Sequence, residues 1–180
     1  PIIVFQYPLA SGQGYPLETL FQICDVVPSV CAIKDWCNNV QQHERQIQAL
    51  QSLARPVNVL TTHSSWLLSS LVLGCKGLLS GSGSVIADLQ VALFNAIQEG
   101  RLDIAKDLNE RIRATADVFY ADPFVDMHNR MKVALVALGR IPSAAVRPPL
   151  VTLDSAEKKR IADAMTLAGI LPEGAILEAA

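Results

Sequence analysis

The chain has 180 residues, of which 51% are hydrophobic and 18% charged, and its formal net charge is −2. That length suffices for one core, and the mean hydropathy of +0.30 excludes a disordered chain. A near-neutral balance leaves no electrostatic case for nucleic acid or an anionic membrane as partner. The longest run without a formal charge, residues 56–75, is interrupted by Thr61, Thr62, His63, Ser64, Ser65, Ser69 and Ser70, so no segment reads as a membrane span. Cys24, Cys31, Cys37 and Cys75 include no C-x-x-C pair, and no histidine stands at zinc-finger spacing. Cys24 and Cys31 sit in apolar runs and read as packed core residues. The setting read from this cysteine usage is reducing and cytoplasmic. The opening Pro1-Ile2-Ile3-Val4-Phe5 has neither the basic leader nor the cleavage site of a signal peptide. It starts directly on a strand, which suits removal of an initiator Met or loss of a longer N-terminal part.

Along the chain, four strand-then-helix units follow one another. Residues 2–5 are a β-branched run that ends at Gln6-Tyr7-Pro8 and a Gly-bearing loop, and a helix is expected over 16–24. The second strand is 30–34, with its helix over 40–53, where Ile47, Leu50 and Leu53 recur at helical spacing and Arg55-Pro56 stops it. The third strand is 57–61, with a helix over 64–73 closed by Gly74. A short fourth strand, 77–80, leads through Gly81-Ser82-Gly83-Ser84 to a helix over 85–98. Alternating strands and helices with short loops mean a parallel sheet. The remainder is helical: 102–119, then 123–138 with Asp122 as cap, then 155–167 with Asp154 as cap. Residues 171–180 are a tail without a clear pattern. The organisation is therefore a sheet region over 1–100 and a helical region over 101–180. Four parallel strands cannot close a barrel, and a (β/α)8 barrel needs roughly 250 residues. The choice lies between an open sheet and half of a barrel.

The residue that carries chemistry is Lys34. It closes the apolar run Val30-Cys31-Ala32-Ile33 and is followed at once by Asp35-Trp36-Cys37-Asn38-Asn39. The C-terminal tip of a parallel strand is where α/β folds place reactive groups. Desolvation there disfavours the ammonium form, and a neutral amine is what Schiff-base chemistry with a carbonyl requires. The bland alternative is a lysine that marks a strand end by snorkelling into water.

The order Val4-Phe5-Gln6-Tyr7-Pro8, Ala32-Ile33-Lys34-Asp35, Val59-Leu60-Thr61-Thr62, Leu73-Gly74-Cys75-Lys76-Gly77-Leu78-Leu79-Ser80-Gly81 and Val146-Arg147-Pro148-Pro149-Leu150 resembles the dihydrodipicolinate synthase / N-acetylneuraminate lyase family. The resemblance runs from Ile2 to about Leu171. It implies an α/β fold that is the second half, strands five to eight, of a (β/α)8 TIM barrel, plus a C-terminal helical extension. It further implies a Schiff-base-forming lyase or aldolase acting on pyruvate or a pyruvate-derived 2-keto acid, a homo-oligomer (dimer or tetramer), and no metal or organic cofactor. Lys34 then matches the imine-forming lysine. Phe5-Gln6-Tyr7-Pro8 matches the family's Tyr-Asn-x-Pro motif, Thr62 and His63 fall where the third strand faces the substrate, and Leu79 lines the pyruvyl pocket. Lys132, Arg147, Pro148 and Pro149 match structural positions of the helical extension.

Two departures shape the expectation. The motif tyrosine that shuttles protons is replaced by Phe5, and Tyr7, two residues on, returns to the same face of the strand and is the substitute. The stretch Leu9-Ala10-Ser11-Gly12 lacks the base that in the synthases binds a second carboxylate, which argues against a dihydrodipicolinate synthase proper. The other reading is a catalytically impaired member that binds a keto acid or serves assembly. A third, an open-sheet binding domain, holds only if nothing precedes Pro1. Among lesser features, His63 is an acid/base candidate beside the reading of a solvated loop residue. Asp126, His128 and Arg130 read as a solvated helix face, and Ser80-Gly81-Ser82-Gly83-Ser84 as a site rim or a phosphate cradle. Trp36 and Trp66 read as packing residues, and Asp35 is expected on the opposite strand face from Lys34.

Overall fold

The computed structural model describes residues 1–62, 64–172 and 174. They fall into two compact units, Pro1–Ser80 and Gly81–Ala180.

The first unit holds a four-stranded parallel sheet in sequence order: β1 (Ile2–Gln6), β2 (Val30–Asp35), β3 (Asn58–Thr61) and β4 (Gly77–Leu78). The connections carry α1 (Leu17–Val26), α2 (Val40–Gln51) and α3 (Leu67–Val72). Each strand is short and apolar, so it needs cover on both faces. The core of this unit is Leu20, Val30, Ala32, Ile33, Ile47, Leu50, Val57, Val59, Leu67 and Leu71. Polar side chains staple it where strands begin and helices end. Arg55 donates to the carbonyls of Val30 (2.6 Å) and Cys24, tying the end of α1 to the start of β2. Gln51 accepts from the Val59 amide (3.1 Å) and donates to the Gly74 carbonyl (3.0 Å), so one side chain at the end of α2 fixes β3 and the turn before β4.

Several expected boundaries shift for identifiable reasons. The helix over 40–53 ends at Gln51, because the Val57 amide turns back to the Leu50 carbonyl (3.0 Å), which also removes Val57 from β3. The helix over 64–73 is a 3-10 turn, Ser64–Trp66, followed by α3, since Trp66 takes a non-helical conformation (φ −144°, ψ 25°). The fourth strand stops at Leu78, although the Leu79 amide still reaches the Thr61 carbonyl (2.8 Å). Cys31 is not a core residue: it is exposed, with its thiol 3.5 Å from the Ile2 carbonyl, whereas Cys24 is buried.

The second unit contains α4 (Gly83–Gln98), α5 (Leu102–Phe119), α6 (Met127–Ala137) and α7 (Ser155–Leu167). Its core is Ile86, Leu89, Leu93, Ile112, Ala116, Phe119, Met131, Ile161 and Met165. Asp154 caps α7 as the sequence indicates, its carboxylate accepting from the Glu157 amide (2.8 Å). Asp122 does not cap α6: a 3-10 turn, Phe124–Asp126, intervenes, and the Asp122 main-chain carbonyl accepts from Arg130 instead (3.1 Å). The Ser80–Ser84 stretch is committed within the protein. Its Ser82 amide donates to the Tyr120 hydroxyl (3.2 Å), and the Ser82 hydroxyl accepts from Gln90 (3.0 Å). The Ser82 amide, one of the donors a phosphate cradle would use, is therefore spent within the protein. Lys132 donates to the Ala145 carbonyl, which fastens the segment between α6 and α7 to α6.

Arg130 overturns the solvated-face expectation. Its side chain is 2% exposed. The guanidinium pairs with Glu157 (2.5 Å) and donates to the carbonyls of Ala121 (2.6 Å) and Asp122 (3.1 Å). Only a planar, five-donor cation can serve acceptors spread this way. Arg130→Ala should therefore cost about 1–3 kcal/mol, because it leaves the Ala121 and Asp122 carbonyls without a donor and takes one of two arginine partners, the other being Arg160, from the half-buried Glu157 carboxylate. Arg130→Lys should recover only part of that loss. Urea unfolding of the full-length protein measures both, and a cost for Arg130→Ala under about 1 kcal/mol would remove Arg130 as the hub of this unit.

Candidate functional site

The register of the sheet defines two rows of side chains at the strand tips. Phe5, Lys34, Leu60 and Gly77 are paired in one row, and Gln6, Asp35, Thr61 and Leu78 in the next. Paired residues share a face and successive rows alternate. The second row is polar, and Gln6, Asp35 and Thr61 are all buried. Each of these three grips its own strand-to-helix unit. Gln6 exchanges two 2.8 Å hydrogen bonds with the backbone of Tyr15, ahead of α1. Asp35 accepts from His43 on α2 (2.7 Å), and the Thr61 hydroxyl donates to Ser70 on α3 (3.0 Å). Buried polar groups must be paired, so these contacts dictate which face turns to the helices. Lys34 is left on the opposite face.

There the lysine meets aromatic rings. Its Nζ lies 4.2 Å from the centroid of the Phe5 ring. Phe5 and Tyr7 have centroids 4.4 Å apart, Trp36 stands edge-on to Tyr7 at 5.3 Å, and Phe5 and Trp36 are 6.4 Å apart. Two residues of strand span about 6.6 Å, so the Tyr7 ring leans back toward Phe5 and the lysine. Among the described residues the Tyr7 hydroxyl makes no hydrogen bond. Gly14 allows this arrangement, since a Cβ there would collide with the Tyr7 carbonyl and the Leu9 amide. Burial pushes the Lys34 pKa below that of an exposed lysine. The face of Phe5 works against this by favouring the cation, an effect of about 0.5–1 kcal/mol.

Behind the lysine lies a closed polar cluster. Asp35 Oδ2 accepts from His43 Nδ1, and Oδ1 accepts from the Cys37 amide (2.8 Å). The other imidazole nitrogen, Nε2, is 3.4 Å from the Cys75 thiol, and the ring stacks on Trp66 at 5.4 Å. Burial, reinforced by the Asp35 charge, pushes the thiols of Cys37 and Cys75 up to about 12. The carboxylate accepts from Nδ1–H, and Nε2 is left facing the Cys75 thiol. Asp35, Cys37 and His43 bring their donor atoms within 4.8 Å of one another. Those atoms are engaged in hydrogen bonds within the protein, His43 Nδ1 to Asp35 and Cys37 Sγ to the Asn39 carbonyl, and so tie the strand tip to α2 as a structural clamp.

Of the residues singled out from sequence, Lys34, Phe5 and Tyr7 are brought together. Thr62 (buried) and Leu79 (43% exposed) are the first residues beyond β3 and β4, in the tier that also holds Tyr7 and Trp36. Among the described residues no hydrogen bond or ring contact ties either one to Lys34. His63 lies outside the described residues. Trp36 packs against Phe5 and edge-on to Tyr7, in keeping with its reading as a packing residue, and its position two residues after Lys34 puts it on the lysine's face. Trp66 packs on His43 as expected of a packing residue. The Asp35–His43 pair was half visible, since His43, Ile47 and Leu50 share one helical face.

Residues 1–168 match the model of the dihydrodipicolinate synthetase family. The chain is 24% identical over 173 residues to a probable 2-dehydro-3-deoxy-D-pentonate aldolase of Escherichia coli, covering 96% of this chain and 56% of that protein. It is 29% identical over 165 residues to a 4-hydroxy-tetrahydrodipicolinate synthase of Sorangium cellulosum, covering 92% and 52%. Among solved structures, an Escherichia coli prophage protein of the dihydrodipicolinic acid synthase family, in complex with pyruvate, superposes with a TM-score of 0.82 at 24% identity, over 95% of this chain and 57% of that one. The chain thus spans about half the length of the curated relatives it matches. Among the described residues no helix is long and apolar enough to cross a membrane.

The clamp can be tested apart from any activity. His43→Phe keeps a ring against Trp66 but removes the partner of a buried carboxylate. It should destabilise the full-length protein by about 1.5–3 kcal/mol, the usual worth of a hydrogen bond to a charged group. Adding Asp35→Asn should cost less than the sum of the two single changes, because the pair acts as one unit. Strict additivity in urea unfolding would mean that the two side chains are energetically independent.

Proposed function

We propose, from the premise that this chain belongs to the dihydrodipicolinate synthetase family, that it supplies the imine-forming half of a lyase or aldolase acting on pyruvate or a pyruvate-derived 2-keto acid. On this reading its four strands are the second half of a (β/α)8 barrel, and Lys34 is the nucleophile. The observation that carries the proposal is the setting of Lys34: a strand-tip amine, partly desolvated, in contact with Phe5 and beside a tyrosine whose hydroxyl makes no hydrogen bond among the described residues.

The chemistry follows from that setting. The neutral amine attacks the C2 carbonyl of the keto acid, and the resulting carbinolamine loses water to give an imine. Its hydroxyl must be protonated to leave, and Tyr7 is the donor proposed, since Phe5 has no proton to give. The protonated imine draws electrons from the bond next to C3. Either a C3 proton or an aldehyde then departs, and the enamine left behind is stabilised by the same nitrogen. A lowered lysine pKa enlarges the fraction of neutral amine at a given pH, so burial of Lys34 speeds the first step. Thr62 and Leu79, and His63 beyond the described residues, are proposed to line the keto-acid site.

In full-length protein, pyruvate with borohydride should leave a covalent adduct on Lys34, read by peptide mass spectrometry. Lys34→Arg should remove adduct and turnover while leaving the unfolding midpoint near that of the parent. The rate of trapping should rise with pH and level off below the range of an exposed lysine. An adduct elsewhere, or none at saturating pyruvate, would sink the imine reading.

The tyrosine can be tested separately. Tyr7→Phe should slow imine formation by about 10²–10⁴, the usual worth of a positioned proton donor. Phe5→Tyr should change it little. The reverse pattern would return the proton transfer to the family's motif position.

A further inference from the structure

The walls around Lys34 bear on what the second substrate looks like, and the inference rests on the imine reading above. Phe5, Tyr7 and Trp36 form one contiguous aromatic surface next to the lysine, and all three are half-buried. The segments that follow the four strands in this unit, residues 7–16, 36–39, 62–66 and 79–80, contain no Asp, Glu, Lys or Arg. The one carboxylate at a strand tip, Asp35, faces away and is occupied by His43. Much of the polar capacity of these segments is also spent internally. The Ser11 hydroxyl donates to the Pro8 carbonyl (2.6 Å), Asn39 caps α2 through the Gln42 amide (2.9 Å), and the Ser64 and Ser80 hydroxyls bond each other (2.7 Å).

We infer that the aldehyde joined to, or released from, the Lys34-bound three-carbon unit carries an uncharged, flat apolar group, an aromatic ring being the best fit, seated on Phe5, Tyr7 and Trp36. A carboxylate on that group would find no lysine or arginine in these segments, and Lys34 is consumed by the imine. A chain of hydroxyls would be stripped of water against aromatic rings with few free partners. A ring loses nothing there and gains offset or edge-on contact with three others. In the addition direction the step balances. The enamine carbon C3 bonds to the aldehyde carbon, the aldehyde oxygen takes one proton and becomes a hydroxyl, and water then hydrolyses the imine to free the product and the Lys34 amine. Cleavage is the reverse.

The test uses full-length protein with pyruvate and three aldehydes: benzaldehyde, D-glyceraldehyde and succinic semialdehyde. Benzaldehyde should give a kcat/KM about 10- to 100-fold above the other two, the discrimination expected of an apolar pocket. Trp36→Ala and the bulkier Trp36→Gln should each lower the benzaldehyde value about tenfold or more, and the glyceraldehyde value by a much smaller factor. A charged or polyhydroxy aldehyde that is equal or better overturns the inference, as does a Trp36 effect equal for all three. So does no turnover of benzaldehyde by protein that still traps pyruvate on Lys34. In each of these cases the adduct survives and the imine reading stands. Loss of the adduct itself would instead remove the reading on which the inference rests.

Discussion

The site depends on one buried hydrogen bond, between Asp35 at the tip of β2 and His43 on α2. A carboxylate with so little exposure cannot go unpaired without a cost of several kcal/mol. Its side of the strand is therefore fixed, and the period of two along a strand sends Lys34 the other way. The same carboxylate accepts from the Cys37 amide, which folds the chain directly after the strand and returns Trp36 toward Tyr7. One acidic residue thus places the lysine before it and the tryptophan after it. Gln6 and Thr61 repeat the device on β1 and β3, so the loops that follow three consecutive strands are all held by the strand residue behind them. The placement of Lys34 on one face is maintained by polar pairing on the other.

At Lys34 two effects of similar size oppose each other. Partial burial disfavours the ammonium, and the Phe5 face favours it. Burial prevails in the direction of the pKa. On the proposed imine reading the balance matters, because the amine must be neutral to attack and yet become a protonated imine afterwards. A ring that accommodates a cation without hydrogen-bonding it suits both stages. A carboxylate in the same place would hold the ammonium far more tightly and slow the attack. This gives a physical sense to the turning away of Asp35, the immediate neighbour of Lys34.

The sheet, its parallel order and the strand tip at Lys34 were legible in sequence because they rest on local signals: apolar runs of strand length, Gly and Pro punctuation, and a lone charge at the end of a run. The opposite facing of Asp35 followed from alternation alone. What the pattern could not carry was pairing between distant residues. Arg130 looks like a surface charge in its own helix, and only Glu157 and the carbonyls before α6 make it a buried one. Asp122 has the chemistry of a cap, but the intervening 3-10 turn moves the helix start beyond it. Cys31 lies in an apolar run and has the parity of the buried Ile33 and Asp35, yet it is exposed near the start of β2, where the β1–β2 register is irregular. His43 and Cys75 are 32 residues apart and meet only through the sheet.

On the proposed reading, in which Tyr7 takes over from the motif tyrosine that Phe5 replaces, Phe5 and Trp36 are best understood together. Moving the hydroxyl two residues along the strand, to Tyr7, shifts its Cα by about 6.6 Å. The two rings are nonetheless only 4.4 Å apart, because Tyr7 leans back over Phe5. That lean needs support on the far side, and Trp36, edge-on at 5.3 Å, supplies it. Gly14 supplies the room, since no side chain fits beside the Tyr7 carbonyl. Phe5, Tyr7, Gly14 and Trp36 are therefore one arrangement. It trades a hydroxyl beneath the lysine for an apolar floor, and keeps a hydroxyl within the same cluster of rings. Restoring a tyrosine at position 5 would place a polar group on that floor without giving the leaning Tyr7 anywhere else to go.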